Sequence, residues 1–377
     1  MLKIHVSRLR PGMVTAYPIL HENGVILVKE DIVLTEKLIN KLKELNFDYI
    51  YIKDERFKNV DPEEILSQET KRKVLQTVHE TFYKVIKGKE KSIQPLKEAV
   101  NSIIEEVLSS RKSVISLVQL RKHDDLVFAH SVNVATLSAF IGKFFKLPAE
   151  TLHTLALGSL MHDLGKIKVP LEILNKPGKL DAEDWEIIKQ HPGWAAELML
   201  ERIPENATAI KIALQHHERM NGSGYPYGLA GEEIHLLSRI CACADVYDAL
   251  TVDRPYRKRF SYSEALEYLM GNAGRLFDLQ VVTTMVRHIA PYPVGETVKL
   301  STGEIAVVIK LNEGLPIRPV VRVIKDREGR ELETPKDLDL MSELTVSIVE
   351  SVEASSKATL DETRLWEEAI THDPSQG

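Results

Sequence analysis

The beginning of the chain alternates between apolar and polar positions in short runs, as strands with one buried face do. Four runs are predicted to be strands: Ile4/Val6, Val14 to Leu20, Val25 to Val28 and Phe47 to Ile52. Asn23-Gly24 separates the second and third runs and favours a hairpin turn. After a Thr35/Glu36 start, three leucines recur at helical spacing: Leu38, Leu42 and Leu45. We therefore predict a small N-terminal α/β module over residues 1–53.

Residues 54–115 have the charged pattern of amphipathic helices, with an apolar residue at every third or fourth position. The predicted stripe consists of Val74, Val78, Phe82 and Val85, followed by Leu96, Val100, Ile103, Ile104 and Val107. Such a stripe fits either the edge of a packed helical bundle or a connector that joins two copies in a homodimer and transmits a signal. The bundle is favoured because the stripe is too short for a coiled coil.

β-Branched residues return beyond residue 290. Four runs separated by glycine-containing turns are predicted to be strands: Val298 to Leu300, Ile305 to Leu311, Val320 to Ile324 and Leu344 to Val349. Residues 291–352 are therefore predicted to form a small C-terminal β-barrel-like module. The charged stretch 353–377 is predicted to be a frayed tail with a helical pattern from Thr363 to Ile370.

Composition narrows the class of protein. At 377 residues and 44% hydrophobic, the chain is long enough for two or three domains. No apolar run approaches the roughly 18 residues of a membrane span, and the start lacks a signal-peptide pattern, so a cytoplasmic protein without membrane association is predicted. A net charge of −6 argues against a general nucleic-acid surface.

Cys241 and Cys243 lie two apart in an apolar helical pattern, which predicts small core residues rather than a disulfide or a zinc site.

Between residues 116 and 290, where the pattern is that of buried helices, the chain carries seven potential metal ligands. They are His130, His162, Asp163, His191, His216, His217 and Asp245. Imidazole and carboxylate together suit Fe, Mn, Co, Ni or Zn, and two ions sharing a carboxylate clamp the attacking and leaving oxygens of a phosphate ester. The first hypothesis is therefore phosphodiester hydrolysis. The alternative, seven independent core or surface residues, is much weaker.

Two adjacent pairs in this set constrain the geometry. Neighbouring residues of a helix point about 100° apart, so His216 and His217 do not easily bind one ion side by side and are expected to line a polynuclear pocket. The Asp163 carboxylate has two oxygens and can bridge two ions while His162 binds one. A site with more than one metal is therefore expected.

The segments around these ligands, from about Asp125 to Arg257, resemble the HD-GYP phosphodiesterases, a branch of the HD-domain metal-dependent phosphohydrolases. The matching segments are Phe128 to Ala135, Met161 to Ile167 with Val169-Pro170, Asn175 to Leu180, His191-Pro192, His216 to Pro226, Ala244 to Thr251 and Arg254 to Arg257. The resemblance implies a multidomain α+β protein whose all-helical HD-GYP catalytic core, residues 116–290, hydrolyses a cyclic dinucleotide, most often cyclic di-GMP, in bacterial second-messenger signalling. Residues 1–53 and the stretch from Tyr292 resemble modules found beside many such cores.

Carried over position by position, the resemblance implies two divalent ions, Fe or Mn before other first-row metals. The first ion would be bound by His130, His162, Asp163 and Asp245, and Asp163 would bridge to a second bound by His191, His216 and His217. Lys166, on the same side as His162 if the helix continues, would reach a non-bridging phosphate oxygen, so Asp163 and Lys166 are the predicted catalytic residues. The predicted substrate contacts are Lys166, Tyr225, Arg254 and Arg257.

One position departs from the family pattern. Members with three metals have a glutamate four residues before the first ligand histidine, on the same helical face, and that position is Leu126 here. A dinuclear site is therefore predicted. Asp125 would supply a third site only if the helix began irregularly there.

The segment Asn221 to Pro226 is predicted to be a loop, because glycine permits left-handed backbone and proline ends regular helix. It directly follows two ligand histidines and is expected at the mouth of the site. Tyr225 would then stack on a base of the substrate, or serve as a docking point for a partner protein. The residues do not separate these two roles.

Three functions fit the pattern. The preferred one is hydrolysis of cyclic di-GMP to linear pGpG, and onward to GMP if a second cleavage follows, because all seven ligands are present. The alternative is a receptor that binds a cyclic dinucleotide and signals through the flanking modules without turnover. A hydrolase of ordinary nucleotides would not need the Gly222 to Pro226 loop together with Arg254 and Arg257.

Overall fold

The computed structural model of the chain covers three modules. It describes residues 1–21, 23–45, 47–60, 62, 64–86, 88, 92–115, 126–174, 176, 180–252 and 259–352, with positions 86, 126 and 127 described as backbone only. The predicted C-terminal tail, residues 353–377, lies outside this range.

The N-terminal module is a small antiparallel sheet with one helix. Its elements are β1 (Leu2–His5), β2 (Val14–Thr15), β3 (Ile19–Leu20), β4 (Ile26–Val28), α1 (Glu36–Glu44) and β5 (Tyr49–Lys53). The strands pair in the order β1-β5-β2, while β3 and β4 form a separate hairpin. The predicted helix start is confirmed, because the Thr35 side chain caps α1 by accepting a hydrogen bond from the Leu38 N–H at 3.3 Å.

Two predicted strands of this module differ from the structure. The run from Val14 to Leu20 is two short strands rather than one, and Pro18 between them has no N–H to donate to a strand ladder. Val6 does not extend β1 but begins a 3-10 helix, Val6–Arg8. The hairpin turn at Asn23-Gly24 is confirmed, and Gly24 has a φ of +74°, which favours glycine.

Most helices of the central module share one apolar core, to which the described short helices at 171–174 and 182–188 add no residue. The module contains eleven described helices. In chain order these are α2 (Gln68–Ile86), α3 (Gln94–Ser109), α4 (Leu126–Phe144), α5 (Ala149–Met161), α6 (Leu171–Leu174), α7 (Ala182–Ile188), α8 (His191–Leu200), α9 (Ala207–Gln215), α10 (Leu236–Leu250), α11 (Tyr262–Gly271) and α12 (Leu279–His288). Val78, Phe82 and Val107 of the predicted stripe are completely buried, and α2 and α3 pack on each other and on α4. The packed-bundle interpretation is therefore confirmed, and the homodimer stays a prediction.

The C-terminal module is a five-stranded antiparallel sheet. Its strands are β6 (Thr297–Leu300), β7 (Ile305–Lys310), β8 (Val320–Lys325), β9 (Glu331–Asp339) and β10 (Ile348–Ser351), in the order β10-β6-β7-β8-β9. The sequence pattern does not predict β9, because charged residues fill this strand at the end of the sheet order. The strand predicted from Leu344 begins only at Ile348. Val307 and Val321 pack with Phe57, so the sheet lies against the segment after β5.

The predicted fold class is confirmed: an all-helical core is flanked by a small N-terminal α/β module and a small C-terminal β module. Cys241 and Cys243 are both buried in α10, as predicted for core residues. No helix in the described part of the chain combines the length and apolarity that a membrane span requires.

Candidate metal centre

The fold brings the seven predicted ligands together in two adjacent groups. The first pocket consists of His130 on α4, His162 after α5 and Asp245 on α10. The second pocket consists of Asp163, His191 at the start of α8, and His216 and His217 after α9. Within each group the nitrogen and oxygen donor atoms lie within 4.8 Å of one another.

A glycine lets the turn after α5 reach α8. Helix α5 ends at Met161, and the chain continues as a 3-10 helix, Leu164–Lys168. A Cβ on Gly165 would lie only 1.9 Å from the His191 carbonyl oxygen, so a larger residue does not fit there. This close approach leaves the His191 Nε2 atom 3.4 Å from the Asp163 Oδ1 atom.

The adjacent histidines His216 and His217 face the same pocket, in agreement with the ligand set that the resemblance implies, although neighbours in a regular helix would point about 100° apart. Helix α9 ends at Gln215, and His216 is its C-terminal cap. Because His217 follows the helix rather than continuing it, the two rings come within 4.1 Å, centroid to centroid. Both donors belong to one group with His191 and Asp163.

Three ligand histidines are oriented by backbone carbonyls of the residues three positions earlier. The Nδ1 atoms of His162, His191 and His216 lie 2.6, 2.7 and 2.7 Å from the carbonyl oxygens of Ser159, Ile188 and Ala213. Since a carbonyl only accepts, Nδ1 carries the proton and donates it, and Nε2 keeps a free lone pair. This is the tautomer that a metal-binding histidine needs.

His130 is held by carboxylates instead. Its Nδ1 atom lies 2.7 Å from the Asp248 Oδ2 atom, and its Nε2 atom lies 3.0 Å from the Asp245 Oδ1 atom. Asp248 also accepts a hydrogen bond from the Asn133 side-chain amide at 3.0 Å. Burial opposes a charge on His130, but the hydrogen bonds to Asp245 and Asp248 outweigh it and raise its pKa to about 9. The carboxylates thus favour a cation at this place.

The second pocket favours neutral imidazoles around an ionised carboxylate. Burial, assisted by the nearby Lys166 charge, lowers the pKa of His191 to about 4. Burial and the neighbouring histidines hold the pKa values of His216 and His217 well below the usual range. Burial would raise the pKa of Asp163, yet the charge of Lys166 and the surrounding histidines keep it well below its ordinary value. Three neutral nitrogen donors therefore face a carboxylate anion.

The donor set fits divalent cations. Among the described residues, the buried Nε2 atoms of His162 and His217 and the buried Oδ1 atom of Asp163 have no hydrogen-bond partner. Buried polar atoms are normally paired, and all three of these belong to the two pockets. In addition, the Nε2 atoms of His191 and His216 point at each other across 3.3 Å. A coordinated cation would satisfy these lone pairs at once.

Lys166 reaches the site, although not for the predicted reason. The helix carrying His162 does not continue, so Lys166 is not on its face one turn later. Instead the 3-10 turn places the Lys166 Nζ atom 2.7 Å from the Asp163 Oδ2 atom. The lysine remains partly exposed, so its ammonium is positioned between the carboxylate and the solvent.

The predicted loop lies against the second pocket. The Tyr225 ring stacks on the His217 ring, with centroids 4.6 Å apart and planes 19° apart, and the Tyr225 N–H donates to the His217 carbonyl at 3.2 Å. Base stacking and partner docking by Tyr225 stay predictions.

Arg254, Arg257 and Asp125 lie outside the described residues. Leu126 is the first residue of α4, four positions before His130.

Sequence reasoning missed three buried residues around the ligands: Glu218, Arg219 and Asp248. Asp248 follows Asp245 by three residues, and this helical spacing could have indicated that both carboxylates face His130. Glu218 and Arg219 directly follow the ligand pair, but no spacing rule identifies their contacts. Glu218 accepts from backbone N–H groups across the loop, and Arg219 folds back on its own turn and lies over the Phe277 ring, so these contacts depend on the tertiary fold.

Comparison with known proteins agrees with this architecture. Residues 102–281 match the family model of the HD domain, and residues 297–359 match the KOW domain associated with HD domain. A cyclic di-GMP phosphodiesterase of Pseudomonas aeruginosa is 38% identical over 226 residues, 60% of this chain and 54% of that protein. The cyclic di-GMP phosphodiesterase response regulator RpfG of Xanthomonas campestris is 42% identical over 144 residues, 37% of this chain and 38% of that protein.

A 3'3'-cGAMP-specific phosphodiesterase of Vibrio cholerae is 38% identical over 191 residues, 50% of this chain and 43% of that protein. The chain thus spans about half the length, or less, of these curated relatives. The resemblance to HD-GYP phosphodiesterases is confirmed, with residues 102–281 matching the HD domain and residues 297–359 matching the associated KOW domain.

Proposed function

We propose that this chain is a metal-dependent phosphodiesterase that hydrolyses a cyclic dinucleotide. The observation that carries the proposal is the position of Asp163 between the two pockets. Its Oδ2 atom lies 3.5 Å from the His162 Nε2 atom and 3.7 Å from the His130 Nε2 atom. Its Oδ1 atom lies 3.4 Å from the His191 Nε2 atom. A carboxylate that faces both donor groups suits a dinuclear hydrolytic centre.

In this proposal each pocket would hold one divalent ion, Fe or Mn before other first-row metals, and Asp163 would contribute to both. Such ions supply Lewis acidity toward phosphate and lower the pKa of water. The chain's own residues supply the remaining charge and positioning. Lys166 keeps Asp163 ionised and, from its partly exposed position, offers its ammonium to a non-bridging phosphate oxygen.

We further propose cyclic di-GMP as the substrate and linear pGpG as the product, with GMP after a second cleavage. The named activities of the relatives support the substrate class, and they include both cyclic di-GMP and 3'3'-cGAMP. Tyr225, Arg254 and Arg257 are the proposed contacts beyond the metals, since guanidinium groups fork onto phosphate or guanine. We also propose that a partner protein can dock at the Tyr225 loop, and that the protein is cytoplasmic.

The test combines metal analysis with turnover. Protein purified without chelator is analysed for bound metals and incubated with cyclic di-GMP and 3'3'-cGAMP, and the products are separated chromatographically. We expect bound first-row metal and a linear dinucleotide. His162→Ala should lose turnover and the metal of the first pocket, whereas His153→Ala, a histidine nine residues earlier on α5 and outside both pockets, should lose neither. Metal-loaded protein that binds a cyclic dinucleotide without cleaving it would favour the receptor instead.

A further inference from the structure

The two residues directly after the ligand histidines are buried as deeply as the ligands. Glu218 is 2% exposed and Arg219 is 1% exposed. Neither belongs to a donor group of the two pockets. Burying a carboxylate and a guanidinium is costly unless each is fully engaged, so their partners indicate what they do.

Arg219 holds the turn that contains the ligand histidines. Its Nη1 atom donates to the His216 carbonyl at 3.2 Å and to the Glu218 carbonyl at 2.9 Å. Carbonyls beyond the end of a helix have lost their intrahelical partners, and the Arg219 side chain provides a substitute. Its guanidinium also lies over the Phe277 ring, 5.4 Å from the centroid. The Arg219 side chain therefore fixes the backbone that turns His216 and His217 toward one pocket.

Glu218 holds the loop of residues 221–230 against the same turn. Its two carboxylate oxygens accept hydrogen bonds from the Tyr227 N–H at 2.8 Å and the Leu229 N–H at 2.9 Å. The loop is closed at its base by a bridge between Asn221 and Ala230. It runs so close to the turn that a Cβ on Gly224 would lie 2.5 Å from the backbone at positions 217–219. The Tyr225 ring is thereby brought onto the His217 ring.

We propose that Glu218 is a positioning residue for the second pocket, acting through Tyr225, with Arg219 holding the turn on which both rest. The carboxylate fixes the loop, the loop places Tyr225 on His217, and the stacked ring restricts the rotation of His217. This inference rests on the metal-binding part of the proposed function. It does not depend on which cyclic dinucleotide is cleaved.

The first experiment uses Glu218→Gln, which keeps the shape of the side chain but replaces one acceptor oxygen by an amide that faces a backbone N–H. Hydrogen exchange at the Tyr227 and Leu229 amides should become faster. The matched control is Glu233→Gln, because exposed Glu233 accepts from the Ala230 N–H at 2.9 Å at the C-terminal end of the same loop. The control should leave those two amides protected.

The second experiment measures Mn²⁺ affinity by calorimetric titration of metal-free protein. Glu218→Gln is placed in a His162→Ala background, which leaves the second pocket, and in a His191→Ala background, which leaves the first. We expect affinity to fall about 10- to 100-fold in the former, as for a lost supporting hydrogen bond, and to stay unchanged in the latter.

Tyr225 variants distinguish this route from a general loss of stability. Tyr225→Ala should reproduce the loss of affinity, Tyr225→Phe should not, and combining Tyr225→Ala with Glu218→Gln should add little, because both act in one chain of contacts. Additive losses, an equal loss in both pockets, or an unchanged affinity despite faster exchange would each overturn the inference. A wild-type protein that binds two ions but cleaves no cyclic dinucleotide would refute the proposed activity and leave this inference standing.

Discussion

Replacement of Asp248 tests the geometry of the first pocket most directly. This buried carboxylate belongs to neither donor group, yet it binds the Nδ1 atom of His130 at 2.7 Å and the Asn133 amide at 3.0 Å. Asp248→Asn preserves the shape and one acceptor oxygen for His130, and Asn133 can turn its own amide to meet the new N–H. The substitution therefore removes mainly the negative charge.

The expected loss of metal affinity follows from the charged hydrogen bond between Asp248 and His130. A hydrogen bond to a charged group contributes roughly 1.5–3 kcal/mol, which corresponds to about 10- to 100-fold in affinity at 1.4 kcal/mol per tenfold. Loss of a residue that supports a metal ligand has a similar effect, about 10- to 100-fold. Because Asp248→Asn keeps an acceptor for His130, we expect a loss near the lower end. Asp248→Ala removes the acceptor as well and should lie near the upper end.

The assay is Mn²⁺ titration of the first pocket in the His191→Ala background near pH 9. This pH is chosen because Asp245 and Asp248 raise the pKa of His130 to about 9 against the effect of burial, so protons compete for Nε2 at lower pH. Asp278→Asn is the matched control, a buried carboxylate that caps α12 and belongs to neither pocket. Unchanged affinity in both Asp248 variants, or a smaller loss for alanine than for asparagine, would refute the reasoning.

Three further outcomes are expected. Metal analysis should find about two ions per chain, as sharing of Asp163 implies, and three fully occupied ions would contradict this. Lys166→Ala should keep the metal and lose mainly kcat, whereas Lys168→Ala should change neither; loss of metal in the Lys166 variant would make its role structural. First-pocket affinity should rise from about pH 7 to pH 9, because His130 is protonated below its raised pKa, while second-pocket affinity should change little, because burial lowers the pKa of His191 to about 4. Equal pH slopes for the two pockets would show that these local charges do not control binding.

The seven candidate ligands, which the fold brings together in two groups, could be identified from the sequence by residue type and order. Histidine and aspartate are uncommon in otherwise apolar helical patterns, so seven of them stand out from the pattern around them. The apolar periodicity likewise predicted the helical core, since the same side chains that form the stripe fill the interior. Both predictions depend on composition and spacing alone.

What could not be predicted is where helices stop. The reasoning for His216 with His217 and for Lys166 used the geometry of a continuing helix, whereas α9 ends at Gln215 and α5 ends at Met161. These ends are set by tertiary contacts, such as the packing of Gly165 against α8, which leave no periodic signal. The charged strand β9 was missed for a similar reason, because its place at the end of the sheet order removes the need for an apolar run.

The two pockets also differ in how far they depend on helix ends. Two of the three donors of the first pocket, His130 and Asp245, lie within α4 and α10, and the Asp248 side chain binds His130, while His162 follows the end of α5. The second pocket is built at helix ends, and His217 is covered by a loop that backbone hydrogen bonds hold in place. Contacts to the loop, from a substrate base or from a docked protein, would therefore act on the second pocket and leave the first unchanged.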